Sequence, residues 1–407
     1  MDTTFIRSQF PGLDPDWVLM DNAGGSQIAL PVIERMMEFY LTSNVQLGAS
    51  YEVSSLATAR VARSQEVMAG YINAGDPGEV ILGSSTSLLL RMLAANLGRV
   101  WPAGSEIIVT DCDHEANIGC WMELERAGMV VKTWPINPDT YVLEIEKLEG
   151  LLSPQTRLVA FTHASNVIGS VNPVKAITEL AHSKVAMVCV DGVAYAPHRL
   201  IDVREWDVDF YVFSFYKTYG PHYAMLYGRR DILLGLPGNN HFFIGQDELP
   251  YKFQPGNVNF EFAWGLTGLP AYLERLYDHH FPGNGNLQVR DKLAGAFNLI
   301  ASHERALSEH LLAFLRSRAG VRIIGQPEAT DTRVPTISFI VDGRDSADIV
   351  SEVDRHRFGI RYGDFYARRL IDKLELRSLN GVVRVSMVHY NTLEEVDRLV
   401  EVLDRIL

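Results

Sequence analysis

Lys217 sits in the segment Ser214-Phe-Tyr-Lys-Thr-Tyr-Gly-Pro-His222, directly after the apolar run Val208-Asp-Phe-Tyr-Val-Phe213. A lysine at the mouth of a buried strand, between a hydroxyl and a Gly-Pro turn, is poorly placed as a solvated surface charge. It is well placed to lose its proton and condense with an aldehyde. Asp191 lies 26 residues upstream (217 − 191), where the apolar run 185–190 ends. An acid and a lysine closing consecutive strands could hold two ends of one heteroaromatic aldehyde. The carboxylate would keep a ring nitrogen protonated, and the amine would carry the aldehyde carbon as an imine and later move protons.

Four further motifs have the residue types such a molecule would need. Gly83-Ser-Ser-Thr86 follows a strand and opens a helix, where free N–H groups and the dipole favour an anion. Ser85 and Thr86 are thus candidate phosphate ligands, although Ser and Thr also cap helices routinely. In Asp111-Cys-Asp-His-Glu-Ala-Asn117, His114 could stack on an aromatic ring or merely cap a helix; the second histidine that a zinc protease would need four residues later is missing. Asn166, in the loop 162–169, could donate to a phenolate oxygen or form an Asx turn. Arg384 stands inside the strand-like run 382–387, where a guanidinium is rarely buried without an anion, either a substrate carboxylate or a protein acid. In chain order these are a phosphate turn, a stacking histidine, an oxygen donor, a ring-nitrogen acid and an imine lysine, each closing a strand. Together they describe a site for pyridoxal phosphate (PLP), with Arg384 clamping the carboxylate of an amino acid.

The elements that must position these residues follow from the hydrophobic pattern. Strands are expected over 79–82, 106–110, 129–134, 157–163, 185–191, 208–214 and 223–227. Most are continuous apolar runs, the mark of a sheet covered on both faces. Helices are expected between them, over 85–97, 115–127, 145–152 and 174–183. The alternation makes an α/β domain with a largely parallel sheet, whose ligands bind beyond the carboxyl ends of the strands. After an irregular stretch at 236–256 come a helix over 262–278, a loop at 281–286 and a long helix over 288–319. Strands over 336–341 and 382–387 and helices over 346–356 and 392–407 then make a smaller α+β unit, with the domain change near residue 280.

Composition bounds the partners. The 407 residues are 47% hydrophobic and 21% charged, as in a globular enzyme of about two domains. A net charge of −13 argues against nucleic acid and against an anionic membrane. Apolar stretches fall short of the ~20 residues of a membrane span, and the first residues lack the pattern of a signal peptide. Cys112, Cys120 and Cys189 have neither metal-ligand spacing nor an even number, so no metal is expected and the expected location is the reducing cytoplasm.

With these segments assembled, the chain resembles a class V aminotransferase, in the cysteine-desulfurase-like branch of the fold-type-I PLP-dependent enzymes. The matching stretches are Ser-Ser-Thr (84–86), Asp-His-Glu-Ala-Asn (113–117), Ser-Asn-Val-Ile-Gly (165–169), and the segments 190–199, 208–222 and 383–392. They span nearly the whole chain, and that around Lys217 is the most specific. The expected organisation is an N-terminal segment (1–20), a large PLP-binding α/β domain (21–280) and a small C-terminal α+β domain (281–407). The resemblance implies a homodimer with active sites at the subunit interface. It gives the aldehyde to Lys217, the ring nitrogen to Asp191, ring stacking to His114 and the phenolate oxygen to Asn166. Phosphate contacts fall to Ser85, Thr86, Ser214 and Tyr216, with Asn257 reaching the phosphate of the second subunit. Arg384 would take the substrate carboxylate, with Asn22 beside it.

Two departures direct the functional expectation. Desulfurases carry a persulfide-forming cysteine in an Arg-x-Gly-x-x-Cys-Ala loop. Here the stretch 361–367 reads Arg-Tyr-Gly-Asp-Phe-Tyr-Ala, which puts Tyr366 in that place. Ala194 stands where desulfurases usually have a glutamine. Sulfur relay is therefore not expected. The expected reaction is Cβ–S or Cβ–C cleavage on an amino acid, of C–S lyase or β-decarboxylase/decarboxylative aldolase type. Class V aminotransferase or epimerase activity is the alternative. A non-catalytic PLP-fold binding protein is the alternative of another kind, against which intact Lys217, Asp191 and Arg384 argue.

Overall fold

The structure is a computed structural model that describes residues 1–13, 15–283 and 287–407. The loop expected over 281–286 lies partly outside the described residues.

The large sheet contains β1 (Val80–Gly83), β2 (Glu106–Thr110), β3 (Val130–Trp134), β4 (Thr156–Thr162), β5 (Met187–Asp191), β6 (Phe210–Ser214) and β7 (Ala224–Gly228). Its order is β1-β7-β6-β5-β4-β2-β3. All neighbours are parallel except β7, which runs antiparallel to both β1 and β6. The expected parallel α/β sheet is thus present.

Why these runs are continuously apolar is plain at β6, where all five residues are buried. Phe210 and Val212 enter the core on one face of the sheet, Tyr211 and Phe213 the core on the other. A strand clad on both sides has no solvent face for polar residues. Truncating such a phenylalanine to alanine costs about 3–5 kcal/mol.

Register then delivers the site. Thr162 pairs with Asp191, and Asp191 with Val212, so the carboxyl ends of β4, β5 and β6 finish at nearly one level. Gly192 is required at the exit of β5: a Cβ there would lie 2.2 Å from the Tyr211 ring and hydroxyl.

The second sheet is antiparallel and contains β8 (Val321–Ile324), β9 (Thr336–Val341), β10 (Arg361–Gly363) and β11 (Val382–Ser386), in the order β10-β11-β9-β8. Near the N-terminus, Val18–Leu19 pairs in parallel with Phe358–Gly359, and Asp21 bridges to Ser386. The start of the chain is thereby tied to the second sheet and led toward β11.

Several local expectations change. Val185 is not in a strand but in a left-handed turn (φ 62°), and β5 begins at Met187. The helix expected over 115–127 is an α-helix at Ala116–Met122 that tightens into a 3₁₀ segment at Glu123–Ala127. The helix expected over 262–278 is two, Phe260–Leu266 and Gly268–His280. Their junction packs against the chain near Pro31, whose carbonyl oxygen would lie 2.4 Å from a Cβ on Gly268. The long helix runs Val289–Arg316. Strands β8 and β10 and the helices Leu30–Thr42 and Glu52–Ile72 carried no sequence expectation.

Candidate active site

A cavity of about 510 Å³ opens at the carboxyl ends of β1, β4, β5 and β6. Ser85, Thr86, His114, Asn166, Asp191, Ser214, Tyr216 and Lys217 all line it. Eight expected site residues from five separate segments therefore meet in one place.

Lys217 ends the short 3₁₀ turn that follows β6 and is 7% exposed. Its amine has no hydrogen bond and no ion pair among the described residues. Burial pulls its pKa down from 10.5 to about 8, helped by the charge of Arg384 and opposed by Asp191 and Asp21. Asp191 is 4% exposed. Its Oδ1 accepts from the Val193 N–H at 2.9 Å, and Oδ2 accepts nothing among the described residues. Burial raises this carboxyl to about 6.

Thr86 Oγ1 and Ser214 Oγ lie 2.6 Å apart, joining the head of the helix Thr86–Val100 to the end of β6. Ser85 caps that helix, its hydroxyl accepting from the Leu88 N–H at 3.3 Å. The His114 ring accepts at Nδ1 from the Ala116 N–H at 3.1 Å. Burial, with the Lys217 charge second, lowers His114 to about 4, so the ring is neutral at ordinary pH. Asp113 holds this turn: Oδ1 accepts from the Thr110 hydroxyl at 2.5 Å and Oδ2 from the Asn117 amide at 2.8 Å. Tyr216 stacks on His222, with ring centroids 5.0 Å apart.

A second cavity of about 800 Å³ adjoins the first and shares Lys217, His114, Asn166 and Tyr216 with it. Its other walls are Ala23, Gly24, Arg384, strand β10 and the loop that follows it to Tyr366. Arg384 is 2% exposed. It donates to the Asn166 carbonyl at 2.9 Å and to Asp21 Oδ1 at 2.7 Å, and the Phe365 ring lies 3.7 Å from its guanidinium carbon. Both readings of this arginine thus have a basis: it faces the site and it pairs with a protein acid. Asn166 donates one of its two amide N–H groups to the Phe365 carbonyl at 2.9 Å.

Two expected residues lie elsewhere. The Asn22 side chain is buried in a structural network, donating to the carbonyls of Leu19 and Ser386 and accepting from the Tyr390 hydroxyl. Its neighbours Ala23 and Gly24 face the cavity instead. Asn257 has φ 73° and lines a separate cavity with Ser84, Leu88 and Tyr223. Sequence reasoning missed Asp21, Asp113 and Phe365. The spacing Thr110, Asp113, Asn117 is a legible turn-and-helix signal; nothing in the sequence marks Phe365.

A buried amine and a buried carboxyl facing one cavity, with paired hydroxyls at the head of a helix, define a site for an aromatic aldehyde carrying a phosphate. The model of the family "Aminotransferase class-V" matches residues 18–277 and 292–399. The chain is 40% identical over 412 residues to "Aminotransferase-like protein FGM3" of Gibberella zeae, covering 99% of this chain and 98% of that protein. It is 34% identical over 418 residues to "Cysteine desulfurase-like protein ustD" of Aspergillus flavus, covering 100% and 91%. Among solved structures, the cysteine desulfurase CsdA of Escherichia coli superposes with a TM-score of 0.83 at 27% identity, covering 100% and 98%. The chain belongs to the class V aminotransferase family and is a PLP-dependent enzyme of fold type I. The residues present fit that cofactor: the Lys217 amine and Asp191 Oδ2, neither hydrogen-bonded among the described residues, are the two groups PLP would engage.

Proposed function

We propose that this enzyme cleaves a bond at Cβ of an amino acid, Cβ–S or Cβ–C, without a protein persulfide. The observation that carries this reading is Tyr366. It follows Phe365 in the loop that walls the outer cavity, its ring lies 5.2 Å from that of His114, and it is 70% exposed. A phenol there cannot accept sulfur as a cysteine would. Cys112, Cys120 and Cys189 are all buried, and burial raises each thiol, Cys120 to about 12. Protonated buried thiols are poor nucleophiles.

The chain's residues divide the work as follows. Ser85, Thr86, Ser214 and Tyr216 would hold the phosphate, Asp191 the ring nitrogen, Asn166 the phenolate oxygen and Lys217 the aldehyde carbon. Bound PLP supplies an electron sink for the bond broken on the substrate. Lys217, buried and lowered toward neutrality, carries a proton at Nζ to and from the substrate. His114, neutral, offers an uncharged ring face, so that it adds no repulsion to Lys217. Arg384 binds the substrate carboxylate, and Phe365 covers one face of that guanidinium.

The proposed assembly is a homodimer. Leu88, 58% exposed, shares the Asn257 cavity with Ser84 at the head of the phosphate-binding helix, and a second subunit would close this face. Among the described residues no helix is long and apolar enough to cross a membrane.

The test is to incubate the holoenzyme with L-cysteine, L-cystine and L-aspartate and assay sulfide, pyruvate and alanine. Release of any of these without a keto acid supports cleavage at Cβ. Turnover that requires a keto-acid acceptor identifies an aminotransferase instead.

A further inference from the structure

Arg384 presents five N–H groups, and two of its nitrogens form hydrogen bonds. Nη1 donates to the Asn166 carbonyl and Nη2 to Asp21 Oδ1, whereas the buried Nε–H has no hydrogen-bond partner among the described residues. A carboxylate that meets a guanidinium side-on takes the Nε and Nη2 edge in two parallel bonds. In this structure Nε of that edge is buried without a hydrogen-bond partner among the described residues, and Nη2 is held by Asp21. The second oxygen of Asp21 lies 3.7 Å from Nη1 of Arg361. Asp21 thus stands between two guanidinium groups of unlike setting: the Arg384 side chain is 2% exposed, that of Arg361 59%, and that of Asp21 itself 30%. Both arginines line the outer cavity beside Lys217.

We propose that Asp21 is a placeholder for the substrate's carboxylate, and that Arg361 receives Asp21 when the substrate arrives. The inference rests on the reading that Arg384 binds that carboxylate. A buried guanidinium without an anion is strongly unfavourable, so an arginine kept for an incoming carboxylate needs a counter-ion while it waits. Asp21 supplies one through a single bond to Nη2. An incoming carboxylate takes Nε and Nη2 together, gaining the two-point geometry that Asp21 does not reach. The released Asp21 would then repel the new anion unless a cation took it up, and Arg361 is already in place to do so. The exchange moves one carboxylate a short way along its own ion pairs and leaves no charge uncompensated. Asp21 and Arg361 are positioning residues in this scheme, since neither touches the reacting atoms.

The experiment is a double-mutant cycle on the holoenzyme, titrated with L-alanine and followed by the visible absorbance of the bound cofactor. Asp21→Asn should tighten L-alanine about five-fold, since the competitor's charge is gone. Arg361→Gln should weaken L-alanine about ten-fold in the native background and less than about two-fold in the Asp21→Asn background. Propionate, a carboxylate without an amine, should compete more strongly with L-alanine in Asp21→Asn than in the native enzyme. Asp21→Ser repeats the cycle if the asparagine variant does not fold. An equal effect of Arg361→Gln in both backgrounds overturns the proposal, as does weaker L-alanine binding in Asp21→Asn; Asp21 would then be a fixed brace of Arg384. Arg384→Lys with unchanged L-alanine affinity sinks the underlying reading instead, whatever the cycle gives.

Discussion

The inner and outer cavities adjoin and share four residues, yet they are assembled from different material. The inner wall is made by groups at the ends of neighbouring strands: Asp191 closes β5, Ser214 closes β6, and Thr86 follows β1. Sheet register fixes their separations, and two of its key polar atoms, Lys217 Nζ and Asp191 Oδ2, have no hydrogen-bond or ion-pair partner among the described residues. The outer wall is made by a loop, the N-terminal segment and two strands of the second sheet. There the polar groups already bind one another, as Arg384 with Asp21 and Asn166 with Phe365. The lesson concerns labour. A cofactor that stays needs vacant, rigid partners, whereas a substrate that comes and goes needs partners able to exchange. The loop bears this out in its backbone: Phe365 and Tyr366 are consecutive non-glycine residues at φ 52° and 60°. Such conformations cost free energy and cluster at ligand-binding sites.

The comparison breaks first at Lys217. Lys217→Ala should lower turnover by about 10³-fold or more, and borohydride should no longer fix the cofactor to the chain. Turnover close to native in that variant would remove the inner cavity as the catalytic centre. Next in size is Asp191→Asn, where the loss of a buried charge partner should cost about 10²-fold in kcat; steady-state kinetics on the fully loaded variant measures it.

A smaller effect is expected at the phosphate end. Thr86→Val leaves the Ser214 hydroxyl without its 2.6 Å partner. Cofactor affinity should fall about ten-fold, which equilibrium dialysis would show. An unchanged affinity would place the phosphate elsewhere. For the outer wall, Phe365→Ala removes the ring over Arg384, a contact worth about 0.5–2 kcal/mol. Amino-acid binding should weaken by a few-fold while cofactor affinity holds, so the two cavities would respond separately.

The pH dependence of the apoprotein sharpens the same contrast. Burial lowers Lys217 from 10.5 to about 8, so between those values the folded chain holds fewer protons on this amine than the unfolded chain does. Stability from this group therefore rises with pH through that window and is lowest below it. Urea titrations at stepped pH should show this rise, flattened in Lys217→Met. A slope of equal size in the variant would mean that Lys217 is not desolvated.

Much of the inner site was legible in the sequence for a reason that the structure makes physical. A strand of a doubly covered sheet must be apolar along its length, so the first polar residue after each run marks the strand's exit, where ligands bind. Asp191 and Ser214 announce themselves this way, with Lys217 in the turn three residues after Ser214, and Ser85 and Thr86 do so through helix-start chemistry. Boundaries were less legible where backbone conformation overrides side-chain character, as at Val185, an apolar residue in a left-handed turn.

Chain chemistry alone thus determined the alternating architecture and the types and order of the polar residues that line the inner cavity, because periodicity and helix capping are local. Tertiary structure alone decided which face of the site Asn22 left to Ala23 and Gly24, that Phe365 covers Arg384, and that Asp21 meets an arginine 363 residues away. Contacts of that kind depend on how two sheets and a loop come to rest against each other, and no spacing within a single segment encodes them.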